Sequence, residues 1–198
     1  MEPVRIFAGT AVPLDRSDVD TDQIIPSDWL KRVERTGFGA GLFSEWRDDR
    51  DFVLNQPQYA GATILITGQN FGIGSSREHA VWALVDYGFK AVISPRFGDI
   101  FLSNSTRSGL VPAIVSHEVG RTLMEAVIED PSLEITVDIE ARTIEAPKAG
   151  ISVPFSIDDG ARARLLQGLD DIGVTLAHED SIDAFESRRS SRYPSVSA

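Results

Sequence analysis

Residues 62–94 read ATILITGQNFGIGSSREHAVWALVDYGFKAVIS. Residues 62–66 form a short apolar run that is typical of a buried strand. Residues 78–87 place apolar side chains at helical spacing, and Gly88 supplies the glycine that commonly ends a helix. Residues 91–94 are strand-like again. The stretch therefore predicts a strand, a glycine-rich loop, a helix and a second strand, a unit whose two strands lie parallel in one sheet.

The rest of the chain extends this pattern in two ways. Residues 99–129 continue the alternation with a helix (99–108), a strand (110–115) and a second helix (117–129). Between residues 133 and 157 apolar side chains instead occupy alternate positions, which is typical of antiparallel strands. The other predicted elements are a β-prone stretch at 4–14, a short helix from Ser27 or Asp28, and closing helices near 159–168 and 177–188.

These patterns predict an α/β domain whose sheet mixes parallel and antiparallel strands and carries helices packed on it. We expect a single domain over residues 1–188 and a disordered tail at 189–198, which is small and polar. With 198 residues, 42% of them hydrophobic, the chain is long enough to bury one substantial core.

Charge and cysteine content exclude several classes of function. The formal net charge is −11, whereas nucleic-acid binding requires a basic patch, so we do not expect that function. The sequence contains no cysteine, so this chain forms no disulfide and offers no thiolate to zinc or to an iron–sulfur cluster. Neither a signal-peptide pattern nor an apolar run near the roughly 20 residues of a membrane span is present, so we expect a cytoplasmic protein without membrane contact.

The glycine-rich loop GQNFGIGSSREHA, residues 68–80, is the strongest candidate for a binding site. It lies between a predicted strand and a predicted helix, where unpaired backbone N–H groups and the helix dipole favour an anion. Glycines let a ligand approach the backbone, and Ser75 and Ser76 fall where a helix N-cap is expected. Arg77 adds a planar fork that suits a carboxylate. We therefore expect a small carboxylate ligand.

Nucleotide and acyl-transfer motifs do not fit this loop. A P-loop would place a glycine where Ile73 stands, and a dinucleotide loop would place its third glycine at Arg77. The Gly-x-Ser-x-Gly pattern of a nucleophile elbow is also missing. The residues alone leave one alternative open, which is a tight turn and a well-capped helix with Arg77 and Glu78 in solvent.

An aspartate-rich segment, DRSDVDTDQIIP at residues 15–26, is the second candidate. Asp18, Asp20 and Asp22 alternate as in the first half of a calcium loop, but the pattern then fails at Gln23 and Trp29. In an extended segment the three carboxylates would share one face and would repel each other unless a cation paired with them. Arg77 is the obvious partner, and an Asp-rich turn bonded to its own backbone is the alternative.

The three histidines do not predict a metal site, since none has a second histidine at i+4 spacing. We expect His79 to contact residues of the glycine-rich loop and not the ligand itself. His117 and His178 are expected at helix ends.

Four segments carry a resemblance to a known family, namely DVDTDQIIP (18–26), WLKRVERTGFGAGLF (29–43), GQNFGIGSSREHA (68–80) and DIFLSNSTRSGLVP (99–112). Together they resemble the small subunits of 3-isopropylmalate dehydratase, a family of the aconitase superfamily. The resemblance runs from about Phe7 to about Glu186, and it implies the aconitase swivel fold, a layered α/β domain. GSSREHA marks the superfamily, whereas RTGFGAGLF and the short length point to these small subunits.

The family resemblance implies a partner and a reaction. Its small subunits pair with a separate large subunit whose cysteines hold a [4Fe–4S] cluster, so no cofactor is expected on this chain. The implied reaction removes water from 2-isopropylmalate to give isopropylmaleate and adds it back to give 3-isopropylmalate, a step of leucine biosynthesis. The cluster iron would act as Lewis acid on the departing hydroxyl.

The resemblance also implies roles for individual residues. Ser75 matches the serine that takes the proton α to a carboxylate, and Arg77 matches the arginine that holds a substrate carboxylate. A flexible loop over about residues 28–50 would set substrate preference. Substrate-binding roles fall on Gly74, Ser76 and Leu30, and supporting roles on Asp20, Asp22 and His79.

Two other functions remain open from the sequence. A related hydro-lyase small subunit, of the homoaconitase or citraconate type, would keep the chemistry and change the substrate. A non-catalytic carboxylate-binding module would bind ligand alone and gain no activity from a partner.

Overall fold

The computed structural model describes residues 1–31 and 36–189, and in this part of the chain it forms two four-stranded sheets with helices around them. The strands are β1 (Ile6–Gly9), β2 (Ala11–Leu14), β3 (Ile64–Thr67), β4 (Ala91–Ser94), β5 (Val111–Ile114), β6 (Ile135–Asp138), β7 (Thr143–Ala146) and β8 (Ile151–Pro154). The helices are α1 (Thr21–Ile24), α2 (Glu78–Tyr87), α3 (Asp99–Arg107), α4 (His117–Glu129), α5 (Asp159–Gln167), α6 (Asp171–Leu176) and α7 (Glu179–Glu186).

The parallel sheet forms the centre of the domain, in the order β2-β3-β4-β5. Strands β2, β3 and β4 are buried at every position, as expected for continuous apolar runs that are covered on both faces. Helices α2 and α3 make the crossovers from β3 to β4 and from β4 to β5, and α4 packs against β2, β3 and β4. The predicted βαβ unit of residues 62–94 is confirmed.

The antiparallel strands form a second sheet, in the order β1-β6-β7-β8. In β6 every second residue is buried, so one face of this sheet covers the core and the other is more exposed to solvent. The chain passes between the sheets at Thr10, the single residue between β1 and β2. A bridge between Ile114 and Ser156 also joins them. The sequence predicted one sheet with both parallel and antiparallel strands. The structure instead contains two sheets, one parallel and one antiparallel.

Two helical segments differ from the prediction. The predicted helix at 177–188 is present as α7 (Glu179–Glu186), but an unpredicted helix, α6, precedes it. Asp170 caps the start of α6, where its carboxylate accepts a hydrogen bond of 2.7 Å from the Gly173 N–H. The predicted short helix from Ser27 or Asp28 is a 3-10 turn, Ser27–Lys31. Residues 190–198 of the predicted tail lie outside the described residues.

The predicted specificity loop is only partly described, because residues 32–35 lie outside the described residues. After them, a 3-10 turn at Phe38–Gly41 packs against α2. Phe38, Leu42 and Phe43 are completely buried. This half of the segment is therefore part of the core, and flexibility over about 28–50 stays a prediction.

The carboxylate of Asp86 in α2 fixes this turn from the other side. Its Oδ2 accepts hydrogen bonds of 2.6 Å from the Gly37 N–H and 2.9 Å from the Phe38 N–H. A hydrogen bond to a charged group contributes more than a neutral one, although Asp86 is exposed and water competes with it. The anchor thus joins the loop to the helix that follows the glycine-rich segment.

We predict that Asp86→Ala speeds amide hydrogen exchange at residues 37–43 and lowers the free energy of unfolding by about 1 kcal/mol. Asp86→Asn, which keeps one acceptor oxygen, should give a smaller change. Exchange measured by mass spectrometry on the isolated chain checks this. Unchanged exchange in Asp86→Ala would show that the buried aromatic residues hold the turn without the carboxylate.

Candidate active site

The glycine loop and the aspartate segment meet at one edge of the parallel sheet. Strand β2 pairs in parallel with β3, and Leu14 lies opposite Thr67 at the carboxyl ends of both. Ligand sites of open α/β sheets commonly lie at this edge. Just beyond the strands, the Arg16 carbonyl accepts hydrogen bonds from the Gly68 N–H (3.0 Å) and from Thr67 Oγ1 (3.1 Å).

The two segments then run side by side. The Val19 carbonyl accepts a 2.7 Å hydrogen bond from the Gly72 N–H, and the Thr21 N–H donates one of 2.9 Å to the Ile73 carbonyl. Asp20 and Ile73 form a parallel bridge. Residues far apart in sequence are therefore held as neighbours by backbone contacts.

Two glycines are required by the shape of the loop. Gly72 has φ +72°, and a Cβ there would lie 2.3 Å from Cγ of Phe101. Gly74 has φ +91°, and the atom nearest to an added Cβ there, Cβ of Asp20, would lie at an ordinary contact distance of 3.4 Å. Glycine is therefore favoured by backbone and crowding at Gly72, and by the left-handed backbone alone at Gly74.

Neither serine caps the following helix, and that prediction is wrong. Helix α2 begins at Glu78, and its N-cap is Arg77, in an extended conformation (φ −113°, ψ 102°) and with no side-chain cap. The reason is a tight turn before the helix, in which the Arg77 N–H donates a 2.9 Å hydrogen bond to the Ser75 carbonyl. Ser75 and Ser76 consequently precede the cap, and both are exposed.

Ser75 contacts a buried threonine that sequence reasoning did not single out. Thr21 is only 2% exposed. Its Oγ1 lies 3.1 Å from Ser75 Oγ and 3.0 Å from the Ser75 carbonyl oxygen. Thr21 stands within the quoted DVDTD segment, but nothing in the sequence shows that the two side chains meet.

Arg77 is held on two sides. Its Nη1 forms an ion pair with the Asp22 carboxylate and donates a 3.3 Å hydrogen bond to the Ile25 carbonyl. The side chain is 18% exposed. The sequence suggested Arg77 as a partner for the aspartate cluster, and this is confirmed for Asp22. Because both contacts use Nη1, the edge formed by Nε and Nη2 suits a bidentate carboxylate.

The other two aspartates have partners of their own. The Asp20 carboxylate accepts a 2.8 Å hydrogen bond from the Gln23 N–H, and the Gln23 side chain accepts one of 3.0 Å from the Asp20 N–H, which completes a capping box at α1. Asp18, at φ +57°, accepts a 2.6 Å hydrogen bond from Asn70 Nδ2. Asp20 thus caps α1, as in the local-turn alternative, and the three carboxylates have separate partners. The supporting role of Asp20 in the site stays a prediction.

The two remaining candidates are His79 and Leu30. The His79 ring packs against the rings of Phe38 (centroids 5.2 Å apart) and Trp82 (4.6 Å) and so links the loop to the Phe38–Gly41 turn. Leu30 is half-buried in the Ser27–Lys31 turn. Its contact with a substrate stays a prediction.

In the described residues, this site is marked neither by a cluster of metal ligands nor by a cavity. His117 and His178 lie at the starts of α4 and α7, as expected, and no group of three or more histidine, aspartate or glutamate side chains within residues 1–31 and 36–189 could hold a metal. A cavity of about 510 Å³ lies between α3, β5 and α5, but neither Ser75 nor Arg77 lines it. Within residues 1–31 and 36–189, no helix has both the length and the apolar character to cross a membrane.

Comparison with known proteins identifies the family. A family model described as "Aconitase C-terminal domain" matches residues 1–118, "LeuD_N" matches 121–159, and a model of the C-terminal domain of the 3-isopropylmalate dehydratase small subunit matches 171–195. The 3-isopropylmalate dehydratase small subunit of Frankia alni is 62% identical over 196 residues, which cover 99% of this chain and all of that protein. The chain belongs to the 3-isopropylmalate dehydratase small-subunit family.

Other members of this family agree in sequence and in structure. The Rubrobacter xylanophilus 3-isopropylmalate dehydratase small subunit is 58% identical over 196 residues, again 99% of this chain and all of that protein. The crystal structure of 3-isopropylmalate dehydratase (leuD) from Methanocaldococcus jannaschii matches with a TM-score of 0.67 and 26% identity, over 90% of this chain and 98% of that one. The family resemblance and the swivel-type α/β fold are therefore confirmed.

We predict that Gly72→Ala lowers the free energy of unfolding by several kcal/mol, because it adds a contact with Phe101 to the cost of positive φ. Gly61→Ala is the matched control: Gly61 has φ +77°, but nothing lies within 4 Å of its added Cβ, so about 1 kcal/mol is expected. Urea unfolding of both variants gives the comparison. Equal losses would mean that the loop shifts away from Phe101 at little cost.

Proposed function

We propose that this chain is the small subunit of a 3-isopropylmalate dehydratase and supplies half of an active site to a large subunit. The observation that carries the proposal is that exposed Ser75 and partly buried Arg77 meet the same segment: Ser75 Oγ contacts Thr21, and the Arg77 guanidinium is anchored by Asp22. Ser75 does not line the cavity near α3 and instead lies at an exposed edge of the sheet. A partner chain can cover that edge, as a site shared between two chains requires.

Arg77 binds one substrate carboxylate in this mechanism. The Asp22 ion pair and the Ile25 carbonyl fix Nη1, which points the Nε and Nη2 edge at a ligand with little loss of side-chain entropy. Gly74 lets the substrate approach the backbone, and Ser76 donates a hydrogen bond to the same carboxylate. Leu30 contacts the isopropyl group, and the segment of about residues 28–50 sets the substrate preference.

Ser75 exchanges the proton in both directions of the reaction. Its oxygen, as alkoxide, takes the proton from the carbon α to a carboxylate, and the electron pair of that C–H bond forms the double bond of isopropylmaleate. The hydroxyl leaves the neighbouring carbon with its bonding pair and becomes water by taking a proton from an acid, which we assign to the large subunit. Rehydration reverses these events with the hydroxyl placed on the other carbon. The base must be stabilised as an anion, since a free serine hydroxyl is hardly ionised near neutral pH.

The donor atoms of this chain do not fit an iron–sulfur cluster. The sequence has no cysteine, and the described residues hold no cluster of metal ligands. We therefore assign the [4Fe–4S] cluster to the large subunit, where it would supply a Lewis acid for the departing hydroxyl. We place the enzyme in the cytoplasm, with a dicarboxylate as its substrate and neither nucleic acid nor a membrane as partner.

We predict that the chain is inactive alone and active with the cluster-loaded large subunit from the same organism, and that Ser75→Ala reduces kcat at least about 10³-fold. Formation of isopropylmaleate from 3-isopropylmalate, followed without oxygen, is the assay, and binding of Ser75→Ala to the large subunit is the control. Full activity in that variant would remove Ser75 as base. No activity from a formed wild-type complex would direct the search to related hydroxy-acid substrates.

We predict that Arg77→Lys raises KM and lowers kcat/KM about 10- to 100-fold, because an ammonium keeps the charge but loses the bidentate fork. Steady-state kinetics of the reconstituted enzyme checks this. Lys148→Arg is the control, because it makes the opposite substitution in an exposed turn that is distant in sequence from Arg77. KM and kcat should not change in that variant. An unchanged KM in Arg77→Lys would contradict a carboxylate held by the fork.

A further inference from the structure

The buried hydroxyl of Thr21 is the closest side-chain group to Ser75 among the described hydrogen bonds, and no role has been given to it so far. Thr21 Oγ1 is 3.1 Å from Ser75 Oγ, where either oxygen could donate, and 3.0 Å from the Ser75 carbonyl oxygen. A threonine hydroxyl carries one proton and two lone pairs. It can therefore donate to only one of these two oxygens at a time.

Proton counting gives two arrangements for this pair. With a neutral Ser75, the Thr21 hydroxyl donates to the Ser75 carbonyl and accepts the proton of Ser75 Oγ. With Ser75 as alkoxide, the Thr21 proton turns to Ser75 Oγ. The Ser75 carbonyl then still accepts the 2.9 Å hydrogen bond from the Arg77 N–H, so no acceptor is left unpaired. Loss of the Ser75 proton to solvent, which reaches this exposed residue, together with rotation of the Thr21 hydroxyl proton, connects the two arrangements without movement of heavier atoms.

The backbone holds Thr21 in place for this exchange. Asp20 and Gln23 form the capping box at the start of α1, and the Thr21 N–H donates to the Ile73 carbonyl at 2.9 Å. Gly74 adds no side chain above the hydroxyl. Because Thr21 is only 2% exposed, little water competes for its proton, and a hydrogen bond to an anion is strong in such surroundings.

We propose that Thr21 is a positioning residue for Ser75, whose hydroxyl accepts the serine proton in the resting enzyme and donates to the serine alkoxide when Ser75 is ionised. The inference rests on the proposed function of Ser75 as the base. It extends that function by naming a donor for the alkoxide within this chain.

The chain offers a test that needs no partner, because it contains no cysteine. Ser75→Cys introduces a single thiol at an exposed position, and its rate of alkylation by iodoacetamide as a function of pH gives the pKa of that thiol. A donor to the thiolate lowers this pKa. We expect Thr21→Val in the Ser75→Cys background to raise it by about 0.5 to 1 pH unit, and Thr21→Ser to restore it.

A matched control is Thr106→Val in the same background. Thr106 is also buried, and its hydroxyl donates to the Ser103 carbonyl at 3.1 Å, in α3 and away from Ser75. The pKa of the introduced thiol should not change in that variant. Equal pKa values for Thr21→Val and Thr106→Val would overturn the proposal, because Thr21 would then interact with the backbone alone.

The reconstituted enzyme gives the second test. We expect Thr21→Val to lower kcat about 30- to 100-fold with KM within about twofold, and the rise of kcat with pH to move to higher pH, since the base is harder to ionise without its donor. Thr21→Ser should recover most of kcat. A change in KM alone, or no recovery in Thr21→Ser, would leave Thr21 a structural residue and overturn the proposal.

The two assignments fail in different ways. If Ser75→Ala is fully active, the base assignment is wrong whatever Thr21→Val does. If Ser75→Ala is inactive while Thr21→Val keeps the wild-type kcat and pH profile, the base stands and the Thr21 proposal is wrong.

Discussion

The parallel pairing of β2 with β3 is the constraint on which the site depends. Because the two strands end at the same edge of the sheet, the segments that follow them are adjacent although they stand about fifty residues apart in sequence. The backbone bonds of Val19 and Thr21 to the glycine loop then fix their relative position. The side-chain contacts between these two segments, from Thr21 to Ser75 and from Asp22 to Arg77, follow from this arrangement.

Charge is one reason for an anchored arginine in the proposed site. The chain has a formal net charge of −11, so at long range it repels a dicarboxylate. Arg77 provides local attraction, and the ion pair with Asp22 uses only one of its nitrogens. We propose that the second substrate carboxylate and the departing hydroxyl are bound by the large subunit, which matches the exposed position of Gly74, Ser75 and Ser76.

Local patterns in the sequence predicted the central elements well. The apolar spacing of α2 and the left-handed Gly88 (φ 116°) after it define that helix from both ends, and its bounds were predicted correctly. Local patterns did less well where a specific hydrogen bond decides the outcome. The bond between the Arg77 N–H and the Ser75 carbonyl moves both serines out of the N-cap, and the Asp170 cap starts α6 within a stretch without helical periodicity.

Contacts between distant segments were predictable only where charge suggested them. Asp22 and Arg77 could be paired from the sequence because a cluster of carboxylates needs a cation, whereas two hydroxyls such as those of Thr21 and Ser75 leave no such signal. The resemblance in four motifs predicted the family, which the comparisons confirm at 62% identity to one small subunit. The roles of single residues remain predictions for experiment.

The most direct test of the shared site is calorimetric binding of 3-isopropylmalate to the Ser75→Ala chain alone, to the cluster-loaded large subunit alone, and to their complex, without oxygen. We expect the complex to bind the ligand at least about tenfold more tightly than either chain, because each chain supplies only part of the carboxylate contacts. Binding by the isolated small chain as tight as binding by the complex would contradict a shared site and would favour a self-contained carboxylate-binding module.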